Sequence, residues 1–311
     1  MSTLPVVVLQ ALRKIHDRFA WQTDQGAACD RDPDSVSQTI RDLLSSSRPA
    51  MIARFGSTEL ACLTNYLGVE GRHRDALGYI RGTALPWWWS PRIIERMSTQ
   101  SGFFPAEQPA IRRFCERMLA DAPLVDVLGA WRQEEKWVAP LHPHAVRVQL
   151  RYLDPFYART PWTHALAGKR VLVVHPFEKT IRHQYPRRAL IFPDGLLPDF
   201  TLLTVRAVQS IAGEPVSFPD WFAALDSMKD AMDREDYDIA LIGCGAYGFP
   251  LAAHAKRRGK VGFHIGGSLQ LLFGIRGRRW DGEPFVNEHW VRPAEAETPR
   301  NAQGLENACY W

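Results

Sequence analysis

From about residue 146 onward, short apolar runs alternate with segments whose apolar positions fall at helical spacing. Residues 146–150, 168–174, 200–205, 238–242 and 261–264 read as strands. Between them, residues 219–233 and 249–259 read as helices and residues 180–185 as a helical turn. Strands separated by helices predict a parallel sheet with right-handed crossovers. The first half carries one clear strand, residues 50–55, which runs through Gly56 into a helix over residues 60–67. Ser57 is a natural cap there, and Glu59 falls in the first helical turn.

Helices are also expected over residues 4–21, over about 34–46 with Asp34 or Ser35 as cap, over 91–97, and over 107–120. The first is amphipathic, with Val7, Leu9, Leu12, Ile15 and Phe19 toward one side and Arg13, Lys14, Asp17 and Arg18 toward the other. A packed helix explains that pattern, and so does a basic helix lying on a membrane surface. The fold class is α/β, a Rossmann-like, mostly parallel sheet flanked by helices. The chain divides into an N-terminal helical segment (1–48), a Rossmann-like domain (49–281) and a polar tail (282–311) whose terminal Tyr310 and Trp311 suit docking.

The densest motif lies in residues 238–280. Gly243, Gly245 and Gly248 fit G-x-G-x-x-G between a strand and a helix, with Tyr247 inside the turn. His264 ends the next strand and precedes Gly266 and Gly267. A dinucleotide site wants an acid about 20 residues past the glycines, yet no Asp or Glu occurs from Phe249 to Trp280. Lys256, Arg257, Arg258, Lys260, Arg276, Arg278 and Arg279 stand there instead. That suits a polyanion held by backbone amides and cations. A plain structural unit with solvated basic residues explains it too.

Other candidates sit at strand ends. Arg54 suits phosphate, and Glu59 suits a metal or a sugar hydroxyl; a simple capped helix is the structural alternative. His175 closes a strand as a general base, a phosphate ligand or a structural histidine. Glu135, beside Glu134 and flanked by Trp131 and Trp137, is either a base acting on a sugar or part of a solvated helix face.

Composition narrows the classes. At 311 residues the chain can bury a large core, and a hydrophobic share of 46% with 23% charged residues is ordinary for a globular protein. A net charge of +4 does not by itself imply nucleic acid as a partner. Five scattered cysteines with no C-x-x-C argue against a disulfide framework or zinc site and fit a reducing cytoplasm. No apolar run is long enough to span a bilayer. Eleven tryptophans suit sugar faces as well as cores.

The run Arg54, Phe55, Gly56, Ser57, Thr58, Glu59 resembles the Arg-Tyr/Phe-Gly-Asp-Gly-Glu signature of the GT-D family of bacterial glycosyltransferases. The run from Leu241 to Ala253, with His264, Gly266 and Gly267, is similar to that family's second Rossmann-like unit. The chain also resembles proteins encoded among bacterial surface-polysaccharide genes in its stretches around His175, Gly243 to Gly248, Gly274 to Trp280 and Cys309 to Trp311. The resemblance implies sugar transfer from a nucleotide-sugar donor to a glycan or lipid-linked glycan acceptor, and an Asp-x-Glu motif that serves Mn2+ or Mg2+ and the diphosphate. The cytoplasm read from the cysteines and the basic face of the first helix leave room for a peripheral contact at the inner face of the cytoplasmic membrane. Arg54, Gly56 and Glu59 match that motif, but Ser57 takes the place of its Asp. Arg276 and Arg279 are then expected to neutralise the leaving diphosphate. Two further readings stay open: a non-catalytic nucleotide- or sugar-phosphate-binding protein of polysaccharide assembly, and a methyltransferase using S-adenosylmethionine.

Overall fold

A computed structural model describes residues 5–19, 28–71, 74–211, 214–300 and 310–311. Leu4, Trp21 and Cys309 lie outside the described residues. In chain order the regular elements are α1 (Val6–Phe19), α2 (Pro33–Ser45), β1 (Ala50–Ala53), α3 (Ser57–Glu70), α4 (Ala76–Arg81), α5 (Pro91–Ser101) and α6 (Gln108–Asp121). Then come β2 (Val127–Ala130), β3 (Val146–Gln149), β4 (Arg170–His175), α7 (Glu178–Gln184), α8 (Arg188–Ile191) and β5 (Thr201–Arg206). The last are α9 (Trp221–Asp233), β6 (Ile239–Ile242), α10 (Gly248–Arg257) and β7 (Val261–His264).

All seven strands form one parallel sheet, ordered β3-β2-β1-β7-β6-β4-β5. Both faces are covered, so the inner strands are continuously apolar. Side chains alternate between the two layers. Met51, Ala53, Leu172, Val174, Ala240 and Ile242 face the layer built by α3, α5, α6, α9 and α10. Ala50, Ile52, Val171, Val173, Ile239 and Leu241 face the layer that holds α2 and α7. The edge strands β3 and β5 are less buried and carry Arg147, Gln149, Thr201 and Thr204.

The chain leaves β4 toward the β5 edge with α7 on one face. It leaves β6 in the opposite direction, to β7, with α10 on the other face. The crevice between strands whose exits diverge in this way is where open α/β sheets bind ligands. His175 ends β4 and Gly243 follows β6, so both stand at that point.

Several local expectations change. Asp32 caps α2, its Oδ1 accepting the N–H groups of Asp34 (2.8 Å) and Ser35 (3.2 Å), because Pro33 occupies the first helical position. Gly56 is the N-cap of α3, which moves Ser57 into the first turn. On α1 only Leu9 is buried, while Val7, Ile15 and Phe19 are exposed. The helix rests its Leu9 and Arg13 side near α4, with the Arg13 guanidinium 4.8 Å above the Tyr79 ring. Val36, Ile40 and Leu44 of α2 belong to the same core as Ala50 and Ile52. The tail is held by buried Glu297, whose carboxylate accepts the N–H groups of Lys179 (2.7 Å) and Thr180 (3.1 Å) at the start of α7. None of the described helices is long and apolar enough to cross a membrane.

Candidate functional site

A cleft of about 740 Å³ opens at the carboxyl ends of β1, β2, β4, β6 and β7. Arg54 enters it directly after β1. Its guanidinium lies 5.2 Å from the Trp131 ring and makes no hydrogen bond or ion pair among the described residues. Withdrawal from water holds its pKa below the ordinary arginine value, against the pull of Glu59. Trp131 is itself fixed, its indole N–H donating to the Phe55 carbonyl (3.1 Å).

Glycine is required where the turns after β6 and β7 press together. A Cβ on Gly243 would sit 2.7 Å from the Gly266 carbonyl oxygen and 2.9 Å from the His175 ring. Gly266 has φ +89°, and a Cβ there would lie 3.5 Å from the Arg54 side chain. The Arg54 turn and the glycine turns therefore meet across β7, as walls of one cleft.

Two buried imidazoles stand on either side of Gly243. His175 Nδ1 accepts the Phe177 N–H (3.0 Å), so the neutral ring carries its proton on Nε2. Burial pulls its pKa down to about 3. His264 is the reverse: its Nδ1 faces the Ile242 carbonyl (3.3 Å), which leaves the Nε2 lone pair unprotonated. Burial and the nearby Arg54 charge pull that ring to about 3 as well, despite the bond to Ile242. His175 is therefore a hydrogen-bond donor at neutral pH. The expectation of a general base fails for it, because its basic nitrogen is engaged and the ring resists protonation.

Glu59 lines the cleft from the third position of α3. Its carboxylate folds back over the helix start, where a Cβ on Gly56 would meet Oε2 at 1.8 Å. The helix N-terminus favours a negative charge at this place. Ser57 lines the same wall. Tyr247 forms part of the floor, stacked on Trp221 with ring centroids 4.9 Å apart and its hydroxyl 3.2 Å from that of Ser210. Gly245 (φ +57°) and Gly267 complete the wall. Gly248 lies beneath His264 and lines neither chamber: a Cβ there would fall 2.1 Å from His264 Nδ1.

Two expectations are corrected here. Glu135 is fully buried, its carboxylate accepting the N–H groups of Trp131 (3.0 Å) and Arg132 (3.1 Å) and pairing with Arg147 (2.8 Å). It holds the Trp131 turn in place and is no free base. Of the seven cations after the glycines, only Arg279 lines the cleft. Lys256, Arg257, Arg258 and Lys260 cluster at the far end of α10 and pair with Asp126, Asp121, Asp233 and Asp236. Arg276 lines neither chamber; its N–H donates to the Val291 carbonyl (2.9 Å).

Sequence reasoning passed over Arg96, Gln100 and Arg132 and gave Tyr310 only a docking role, yet all four are in the cleft wall. The Tyr310 ring packs on Gly267, and its hydroxyl accepts from Arg279 (3.2 Å). Four arginines against two carboxylates, Glu59 and Glu134, leave this lining net positive. Arg54, Trp131, Arg132, Gly267, Arg279 and Tyr310 also wall a second chamber of about 510 Å³, into which Asp154 faces.

No protein-family model matches the chain. No curated protein matches it either. Among solved structures it is similar to a chain titled "Selenomethionine substituted structure of domain of unknown function 1792 (DUF1792)". The likeness covers 93% of this chain and 96% of that chain, at 12% identity and a TM-score of 0.36. So loose a superposition carries no argument, and the fold class rests on the seven parallel strands themselves.

Proposed function

We propose that the protein is a glycosyltransferase that binds a nucleotide-sugar donor in the larger cleft. The observation that carries this reading is Arg54: a guanidinium withdrawn from water, with no hydrogen bond or ion pair among the described residues, beside backbone turns that only glycine permits. Such a group wants an anion, and a diphosphate supplies one with matching hydrogen-bond geometry. Arg54 and Arg279 would stabilise the charge that develops on the departing nucleotide. The Nε2–H of His175 would donate to a phosphate or sugar oxygen, and Glu59 would accept from a sugar hydroxyl.

The resemblance to GT-D enzymes implies Mn2+ or Mg2+, but the residues present fit such an ion poorly. Ser57 replaces the motif's Asp, and no group of three or more His, Cys, Asp or Glu among the described residues is arranged to hold a metal.

A thermal-shift screen with UDP, GDP, CMP and their sugars tests the donor site. A ligand at about 100 times its Kd adds roughly 2.7 kcal/mol of stability. Release of free nucleotide from the responding donor, measured with and without EDTA, tests transfer. Nucleotide binding without any release supports the binding-protein reading. A response to S-adenosylmethionine alone overturns sugar transfer, and full loss in EDTA restored by Mn2+ overturns the metal-free account.

A further inference from the structure

The second chamber lies on the other side of Arg54, below the exits of β2 and β3. Its walls mix aromatic rings with polar groups: Trp131, Trp280 and Tyr310 beside Gln133, Gln149 and Arg31. Flat apolar rings next to amides and guanidinium groups suit the faces and hydroxyls of a saccharide. Its volume of about 510 Å³ accommodates one or two sugar rings.

Two carboxylates line it, Glu135 and Asp154. Glu135 is committed to Arg147 and to two backbone N–H groups. Asp154 is not committed in this way. It stands before the turn Pro155–Tyr157, where an aspartate would ordinarily cap, yet its side chain makes no capping bond. The neighbouring Ser268 hydroxyl, Arg54 and Arg151 favour its charged form, and Glu283 disfavours it. Withdrawal from water outweighs these and pushes its pKa up to about 6. A carboxylate of that strength is ionised near neutrality and still basic enough to take a proton in a transition state.

We propose that the smaller chamber is the acceptor subsite, that it takes a saccharide hydroxyl, and that Asp154 is the catalytic base. This rests on the glycosyltransferase reading above. The acceptor O–H bond breaks and its proton passes to the Asp154 carboxylate. The acceptor oxygen forms a bond to the donor's anomeric carbon as the bond from that carbon to the phosphate oxygen breaks. The electron pair leaves with the nucleotide, against Arg54, and Asp154 later returns its proton to water. Arg54 belongs to both chambers, so it stands where leaving group and nucleophile must meet. Ser268 is a positioning residue for the base.

The test uses the full chain, a panel of UDP-, GDP- and CMP-sugars, and nucleotide release to added saccharides or to water as readout. The wild-type rate is expected to rise with pH through about 6 and then level off. Asp154→Asn is expected to cut the rate about 10²–10⁴-fold, to abolish that rise, and to keep nucleotide affinity within roughly threefold, the level of an uninvolved neighbour. Ser268→Ala removes the neighbouring hydroxyl, whose effect is to lower the Asp154 pKa, so it should move the rise to higher pH. A merely structural role would slow the enzyme equally at every pH. If Asp154→Asn does not fold, the Ser268→Ala profile decides. Turnover in Asp154→Asn near the wild-type rate, loss of its nucleotide binding, or an unmoved rise in Ser268→Ala overturns the role of Asp154. A wild-type protein that turns over no donor overturns the glycosyltransferase reading itself, a different and separable result.

Discussion

Arg54→Met should make the ligand-free protein more stable and the donor complex weaker. The guanidinium is withdrawn from water with no hydrogen-bonding partner among the described residues, so the folded state carries a desolvation cost that the charge of Glu59 offsets only in part. Removing an unpaired, partly buried charge in favour of an apolar chain of similar length is worth about 1–3 kcal/mol. The lost contact with Trp131 at 5.2 Å takes back roughly 0.5–1 kcal/mol. A net gain of up to about 2.5 kcal/mol remains. For 311 residues, at about 2.1 cal/mol/K of unfolding entropy per residue, that is a rise in Tm of up to about 4 °C. In the complex the sign reverses. A hydrogen bond to a charged group contributes about 1.5–3 kcal/mol, so nucleotide affinity should fall roughly 10- to 150-fold. Differential scanning fluorimetry with and without the responding nucleotide measures both. A variant less stable than wild type by more than about 1 kcal/mol would show that Arg54 is an unrecognised structural group. Unchanged nucleotide affinity would refute its role as the anion site.

Three further outcomes are expected. Gly248→Ala should destabilise by about 1–3 kcal/mol, although alanine is the better helix former, because the new methyl would sit 2.1 Å from His264 Nδ1; a more stable variant in urea unfolding would show that the imidazole moves aside freely. Arg258→Ala should change stability by no more than about 0.5 kcal/mol and leave nucleotide affinity unaltered, since Arg258 pairs with Asp233 (3.0 Å) away from the cleft; a several-fold loss of affinity would restore the α10 cations to the site. The third outcome concerns acid. His175 and His264 have pKa values pulled down to about 3, against about 6.5 when unfolded, so between those values the unfolded chain binds protons that the native chain refuses. Their contribution is complete above about pH 6.5 and is lost as pH falls toward 3. Asp154, raised to about 6, acts oppositely, and the balance from pH 7 to pH 5 is a loss of roughly 2–3 kcal/mol. Urea midpoints that do not fall over this range would refute the assignment of both imidazoles as buried and neutral.

What the sequence made legible follows from which interactions are local. The inner strands are buried on both faces, so their apolar runs stand out, and the glycine turns after β6 and β7 lie at predictable strand exits. Arg54, Gly56, Glu59, Gly243, Gly245, His264 and Gly266 reach one cleft because a parallel sheet delivers every strand's carboxyl end to the same edge. The basic run misled because proximity in sequence to the glycines is not proximity in space. Ten residues of α10 at about 1.5 Å each separate its start from its end by roughly 15 Å. There Lys256, Arg257 and Arg258 complement the helix C-terminus and meet acids from other elements. Val7, Ile15 and Phe19 misled in the opposite sense, since helical spacing predicts a face but not whether anything covers it.

Asp154 was invisible for a different reason. It follows a 3-10 segment off the edge strand β3 and precedes Pro155, where an aspartate reads as turn chemistry. Its distinction is what it lacks, a capping bond, and what it gains from afar: Ser268 after β7, Arg54 after β1 and Glu283 from the tail. Glu135 is the counterexample. Its sequence setting, beside Glu134 and between tryptophans, looked catalytic, yet three hydrogen bonds bind it to the fold. A carboxylate satisfied by the protein has little left to offer a substrate, whereas one withdrawn from water and incompletely satisfied holds its proton affinity in reserve. By that criterion Arg54 and Asp154 are a matched pair, one waiting for an anion and the other for a proton. The wall they share between the two chambers is where sugar transfer between donor and acceptor would have to occur.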